Sequence, residues 1–318
     1  MTNWQGERIG MVGFGHDFPG PPRPIGEFPV VAAREIEAAT LRRLGIDTVH
    51  HSDPAESAID LGVRAAERAV TDAGVDPSEV DLVVVSNSSQ RQYAPELGPR
   101  LAHRVGATAA LGFDVCGGCA GFVLGVQTAA SMLASQQLRT AVVVATEQFS
   151  RLARPVTPDT LVAGDAAGAV VLRRGVEAGA GLIDSVMHSD GEEAEVLTVD
   201  PDSGYMRYDH RRLFALAVQT QVKVVEELLG RNGFSLDDID LFVPHPGSNK
   251  VITDLVERLG VDPDKVASTF RSTGNTVSAM IPTALSVRKD AGRLSPGSLV
   301  LASTAGAGWF GGGLLAVL

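Results

Sequence analysis

Val63-Arg-Ala-Ala-Glu67, Ala73-Gly74 and Val80-Asp81-Leu82-Val83-Val84 read in order as a helix, its glycine cap, an acidic turn and a buried strand. The same order returns, without a gap, at Val222-Lys-Val-Val-Glu226, Asn232-Gly233 and Ile239-Asp240-Leu241-Phe242-Val243. From Val63 to Val222 is 159 residues, half of the 318-residue chain. An ungapped match at that distance points to a duplicated α/β unit. Phe113–Cys119 leading into a helix corresponds loosely to Phe270–Thr276 leading into another, and Thr140–Ala145 to Ser298–Ser303. The expectation is an α/β chain of two pseudo-symmetric halves, residues 1–172 and 173–318, with a site where their strand ends meet.

The remaining pattern fits. Strands are expected at Arg8–Phe14, Asp81–Ser86, Thr140–Ala145, Gly168–Leu172, Asp240–Pro244 and Ser298–Ser303. Helices are expected at Ala55–Ala73, Leu97–Val105, Gly121–Ser135, Leu213–Asn232 and Ile281–Ala291. Phe18–Pro29, with five prolines, reads as an extended surface loop. Lys+Arg 27 against Asp+Glu 38 gives a net charge of −11, which argues against binding nucleic acid by neutralising phosphates. Aromatic residues at 5% argue against base stacking. Two cysteines make no disulfide framework, and Met1-Thr-Asn-Trp-Gln-Gly-Glu7 is no signal peptide. The longest apolar runs read as strand-sized, so no membrane span is expected and a cytoplasmic location is.

Phe113-Asp-Val-Cys116-Gly-Gly-Cys119-Ala-Gly-Phe122 runs from a strand into a helix and sets Cys119 at the helix N-terminus. Unpaired N–H groups and the macrodipole there favour a thiolate, the nucleophilic form. The segment is also Cys-x-x-Cys, which is compatible with a redox pair or half of a zinc site. No second cysteine pair and no nearby histidine at ligand spacing completes a zinc site. His16, His50, His51, His103, His188 and His210 lie in polar or loop-like stretches and read as solvated. His245 differs, because it directly follows a buried strand, at the end where open α/β sheets build their sites. Asn275, in Gly274-Asn275-Thr276, occupies the repeat equivalent of the cysteine loop. Cys119 can carry an acyl group while His245 and Asn275 donate hydrogen bonds to a developing oxyanion or enolate.

These motifs resemble the β-ketoacyl-acyl-carrier-protein synthase III family of the thiolase fold, over nearly the whole chain. The matching segments are Asp114-Val-x-x-x-Cys119-Ala-Gly-Phe122, Gly164-Asp-Ala-Ala-Gly-Ala-Val-Val-Leu172, Val243-Pro-His245, Gly274-Asn275-Thr276 and the glycine-rich Ala305–Gly313. The resemblance implies a homodimer of five-layer αβαβα subunits and a ping-pong acyltransferase without a permanently bound cofactor. Its substrates would be coenzyme A or acyl-carrier-protein thioesters. It implies an oxyanion hole from Cys119 and Ala307. Arg43, Arg211, Arg212, Lys250, Tyr93 and Trp309 are the candidates for holding substrate or carrier, Tyr93 by reaching across the dimer. The chain departs from the family at Pro246-Gly247-Ser248, at Ala305 and Ala307 in place of a phenylalanine and a glycine, and at Ala39 and Thr157 in place of an adenine-gripping pair.

Two reactions fit. In the first, acyl-Cys119 is attacked by the carbanion of a decarboxylating malonyl thioester. In the second, the acyl group passes without decarboxylation to an alcohol, amine or other nucleophile, with His245 as general base. A redox protein using Cys116 and Cys119, and a catalytically silent scaffold, are the readings outside these.

Overall fold

Valine-rich strands can be buried on both faces only where apolar elements cover each side. The computed structural model describes residues 2–4, 6–33, 36–90, 94–136 and 138–318, and it supplies both covers. The first sheet contains β1 (Ile9–Asp17), β2 (Leu82–Ser86), β3 (Leu111–Val115), β4 (Thr140–Gln148) and β5 (Asp165–Arg174), ordered β1-β5-β4-β2-β3. The second contains β6 (Gly181–Ser189), β7 (Leu241–Pro244), β8 (Leu299–Gly306) and β9 (Phe310–Val317), ordered β6-β9-β8-β7, with Thr2–Asn3 added beyond β6. In both, a parallel pair (β2 with β4, β7 with β8) is continued on one side by antiparallel strands, and in the first sheet β3 pairs parallel to β2 on the other side. The halves expected to divide at 172/173 meet near the end of β5, which continues to Arg174.

Helices α1 (Ala58–Asp72), α2 (Leu97–Arg104), α3 (Gly121–Gln136), α4 (His210–Asn232), α5 (Asn249–Leu259) and α6 (Met280–Asp290) complete the layers. Alternation along β2 shows how. Leu82 and Val84 enter a central core with Phe122 and Val126 of α3, Ile281 and Leu285 of α6, and Leu241 and Val243 of β7. Val83 and Val85 point the other way, onto Leu61 of α1 and Leu101 of α2. Phe242 of β7 packs outward on Val225 and Leu228 of α4. The layers are therefore α1/α2, first sheet, α3/α6, second sheet and α4/α5, an αβαβα stack.

Three expectations need correction. The longest apolar run is not strand-sized. Gly118–Gln136 is 19 residues long and apolar enough by length and composition to cross a membrane, because a helix between two sheets must be apolar all round. Phe270–Thr273 is a short helix where its counterpart in the first half is the strand β3, and a single bridge, Phe242 to Val266, stands where a strand would pair with β7. Phe18–Pro29 is exposed only in part. Arg23–Pro24 pairs with Thr48–Val49, and buried Phe28 lies under the Arg23 guanidinium, 4.0 Å from its ring centroid.

Phe122 is fully buried in the middle layer. Phe122→Ala should cost about 3–5 kcal/mol of unfolding free energy. Urea unfolding followed by circular dichroism reads it, and a loss below about 1 kcal/mol would count against the central position of α3.

Candidate active site

After β3 the chain turns through Cys116 and two glycines into a 3-10 turn, Gly118–Ala120, continuous with α3. Cys119 lies in that turn, 8% exposed, while Cys116 is at the surface. The end of β8 closes over Cys119. Thr304 Oγ1 donates to the Cys119 carbonyl at 3.0 Å. A Cβ on Gly306 would stand 2.6 Å from Cys119 Cβ and 2.7 Å from Sγ, so only glycine allows this approach. The backbone N–H groups of Cys119 and Ala307 both reach the sulfur, which makes them the available donors for an oxyanion formed there.

The same strand fixes His245. The His245 N–H donates to the Ser303 carbonyl at 2.7 Å. Gln221 on α4 donates Nε2 to the His245 carbonyl at 2.9 Å and accepts from Ser303 Oγ at 3.0 Å. The imidazole is 3% exposed, and its Nδ1 is buried without a hydrogen-bond partner.

Asn275 follows Gly274, whose φ of +68° and 2.5 Å approach of a would-be Cβ to the Val162 carbonyl both demand glycine. The Asn275 N–H donates to Val162 O at 2.7 Å, and its carbonyl accepts from Gly164 N–H at 2.9 Å. Its side-chain Oδ1 accepts from Val277 N–H at 2.8 Å, which turns the amide NH2 elsewhere. Val277 has φ +52°, a conformation that costs a β-branched residue about 1–3 kcal/mol and persists only where neighbours enforce it. The turn Val277–Ala279 packs on Gly118–Ala120, which brings the asparagine loop to the cysteine loop.

Burial works against the expected thiolate. Burial, and then the carboxyl of Glu147, push the Cys119 thiol up to about 12, against the pull of the two backbone N–H groups. The helix N-terminus is outweighed because the sulfur has lost its water. Burial likewise holds His245 down near 4, which keeps the imidazole uncharged at neutral pH. Three other histidines also depart from expectation. His50 is buried and its Nδ1 meets Pro19 O, His51 is half-buried against Ala163 O, and His16 Nδ1 meets Ser286 Oγ.

Arg43 is exposed on the short helix Ala38–Leu44, which packs on α5. Arg211, Arg212 and Lys250 begin α4 and α5, with Lys250 Nζ 4.5 Å from the Phe214 ring. The cluster is less basic than its sequence, since Arg212 pairs with Glu193 and Lys250 with Asp254. Trp309 is buried and donates Nε1 to Thr220 at 2.9 Å, beside Ala305. Tyr93 lies outside the described residues. Sequence reasoning missed Glu147, a fully buried carboxyl at the end of β4. An acidic residue closing the apolar run Val142-Val-Val-Ala-Thr-Glu147 was the available sign, at the strand end where such sheets place their sites.

Residues 113–191 match the family model described as 3-oxoacyl-[acyl-carrier-protein (ACP)] synthase III, and residues 229–318 match its C-terminal counterpart. A β-ketoacyl-[acyl-carrier-protein] synthase III of Rhodospirillum rubrum is 36% identical over 285 residues, covering 86% of this chain and 88% of the relative. One from Rickettsia bellii is 34% identical over 273 residues, covering 84% and 86%. Among solved structures, the 3-oxoacyl-(acyl carrier protein) synthase III of Pseudomonas aeruginosa is similar at TM-score 0.91 and 29% identity, over 98% of each chain. The priming β-ketosynthase of the R1128 polyketide pathway is similar at TM-score 0.90 and 31% identity, over 98% of this chain and 96% of that one. This chain belongs to the 3-oxoacyl-[acyl-carrier-protein] synthase III family and is an acyltransferase of the thiolase fold.

Proposed function

We propose that Cys119 takes an acyl group from a thioester and gives it up to the carbanion of a malonyl thioester. The observation that carries this reading is the end of β8, which holds His245 through Ser303, Cys119 through Thr304, and the sulfur through the Ala307 N–H. In the first half-reaction the sulfur attacks the thioester carbonyl. The oxyanion sits between the N–H groups of Cys119 and Ala307, and the donor departs as a free thiol carrying the Cys119 proton. In the second, the malonyl group loses CO2, and its thioester enolate accepts hydrogen bonds from neutral His245 and from the Asn275 amide. The enolate carbon then attacks acyl-Cys119, expelling the Cys119 thiolate, which takes a proton from solvent. Substrates arrive as thioesters and no resident cofactor takes part. Arg43 and Arg211 are the cations we assign to the phosphate of coenzyme A or of a carrier's prosthetic arm, with Arg212 and Lys250 free to exchange their acidic partners for it.

We also infer a homodimer. β3 is the open edge of the first sheet, and its Leu111 is 55% exposed. An unpaired apolar edge is stable in solution once a second copy covers it.

Intact-mass spectrometry with acyl thioesters should find acyl-Cys119, and adding malonyl thioester should then release CO2. His245→Ala and Asn275→Ala should keep the acylation and lose CO2 release by about 100-fold. Acylation of the unaltered enzyme without CO2 release would leave only the non-decarboxylating transfer. Because the thiol is held near 12, iodoacetamide labelling of Cys119 should rise about tenfold per pH unit from roughly pH 7 to 10 without a plateau. A plateau near neutrality would mean a resting thiolate. Leu111→Glu should convert the dimer to monomer by light scattering, and an unchanged mass would remove β3 from the interface.

A further inference from the structure

The condensing chemistry leaves one buried ionisable group beside the nucleophile unused. Glu147 is fully buried, with Oε1 accepting from Ser278 Oγ at 2.6 Å and from Ser88 Oγ at 3.0 Å. Oε2 accepts from Ser88 N–H at 3.1 Å. These donors come from two loops distant in sequence. Ser88 follows β2, whereas Ser278 lies in the strained turn that carries Asn275. Within that turn the Asn275 Oδ1 already holds Val277 N–H, so the side chain of Asn275 and the left-handed Val277 are fixed together. Ser278 is the next residue and ties the turn to the first half of the chain. Without the Glu147 contact, the turn would be free to relax the Val277 backbone and swing the amide with it.

We propose that Glu147 is a positioning residue: through Ser278 it clamps the strained turn 275–279 against the cysteine loop and so aims the Asn275 amide at the enolate. The assignment rests on the condensation reading. Burial keeps the Glu147 carboxyl proton-binding more strongly than usual, and the serine donors oppose this. A carboxyl so enclosed is expensive to keep, and it is kept where three parts of the site converge. It stands close enough to Cys119 to act on its ionisation. Gly121, the first residue of α3, packs between Ser86 and Ser278, so the clamp spans the base of the nucleophile helix.

The test separates the two half-reactions. Acyl-Cys119 formation by intact mass, CO2 release from malonyl thioester and thermal stability are measured for Ser278→Ala, Glu147→Gln, Glu147→Ala, Asn275→Ala and the Ser278→Ala/Asn275→Ala pair. Ser278→Ala should slow CO2 release about 10- to 100-fold while acylation stays within about twofold, as expected of a displaced donor. Glu147→Gln, which keeps an oxygen for Ser278, should retain more CO2 release than Glu147→Ala. On the Asn275→Ala background the serine change should add nothing. An additive loss in the pair, or equal losses in acylation and CO2 release, would overturn the clamp. If the Glu147 variants do not fold, Ser278→Ala and the pair decide the matter alone. An unaltered enzyme that acylates but releases no CO2 fails the condensation reading itself, and the clamp falls with it.

Discussion

Gly306, in the second half of the chain, lies so near Cys119 in the first that a Cβ on it would stand 2.6 Å from Cys119 Cβ. A methyl group there would overlap the nucleophile's own side chain, so the end of β8 must be bare backbone. Everything else at the site follows from that proximity. The strand that presents Gly306 also carries Ser303 and Thr304, so one element of fixed pleat sets the histidine, the cysteine carbonyl and the Ala307 donor. A strand inside a packed sheet is stiffer than a loop, which suits hydrogen bonds whose value depends on small displacements. Sealing the sulfur this way also strips its water, which pushes the thiol up against ionisation.

That neutrality shapes the reaction. A thiolate–imidazolium pair would already hold charge before substrate arrives and would react with any electrophile that reached it. Here charge develops only when a thioester brings an oxygen into reach of the two N–H donors. Neutral His245 has one ring N–H to give, and its buried Nδ1 lacks a protein partner. Its task is therefore served by orientation, fixed through Gln221 and Ser303, more than by titration.

The duplication was legible because helix, cap and strand recur at one spacing, and the observed pairs β2/β7 and β4/β8 obey it. Cys119, His245 and Asn275 were legible because each follows a strand or sits at a repeat-equivalent loop. Other features depend on tertiary context. β9 was missed because Phe310-Gly-Gly-Gly313 carries too little β-branched character to read as a strand. His50 looked polar in sequence, yet it is buried by the chain folding back at Pro19. The burial that opposes ionisation of Cys119 was not legible, because the macrodipole is visible in a sequence and desolvation is not.

Glu147 and Gly306 stand 159 residues apart, the offset of the repeat, at the ends of the matched strands β4 and β8. The two copies have thus diverged at the same address. One keeps an ionisable side chain enclosed by serines, and the other has surrendered its side chain altogether. A short helix stands where the strand before Cys119 does in the first copy, and the position 159 residues after Cys119 is Ser278, which the second copy uses to hold Glu147. One site is thus furnished from both halves of the chain. Neither half can later be lost, swapped or evolved in isolation without taking the chemistry with it.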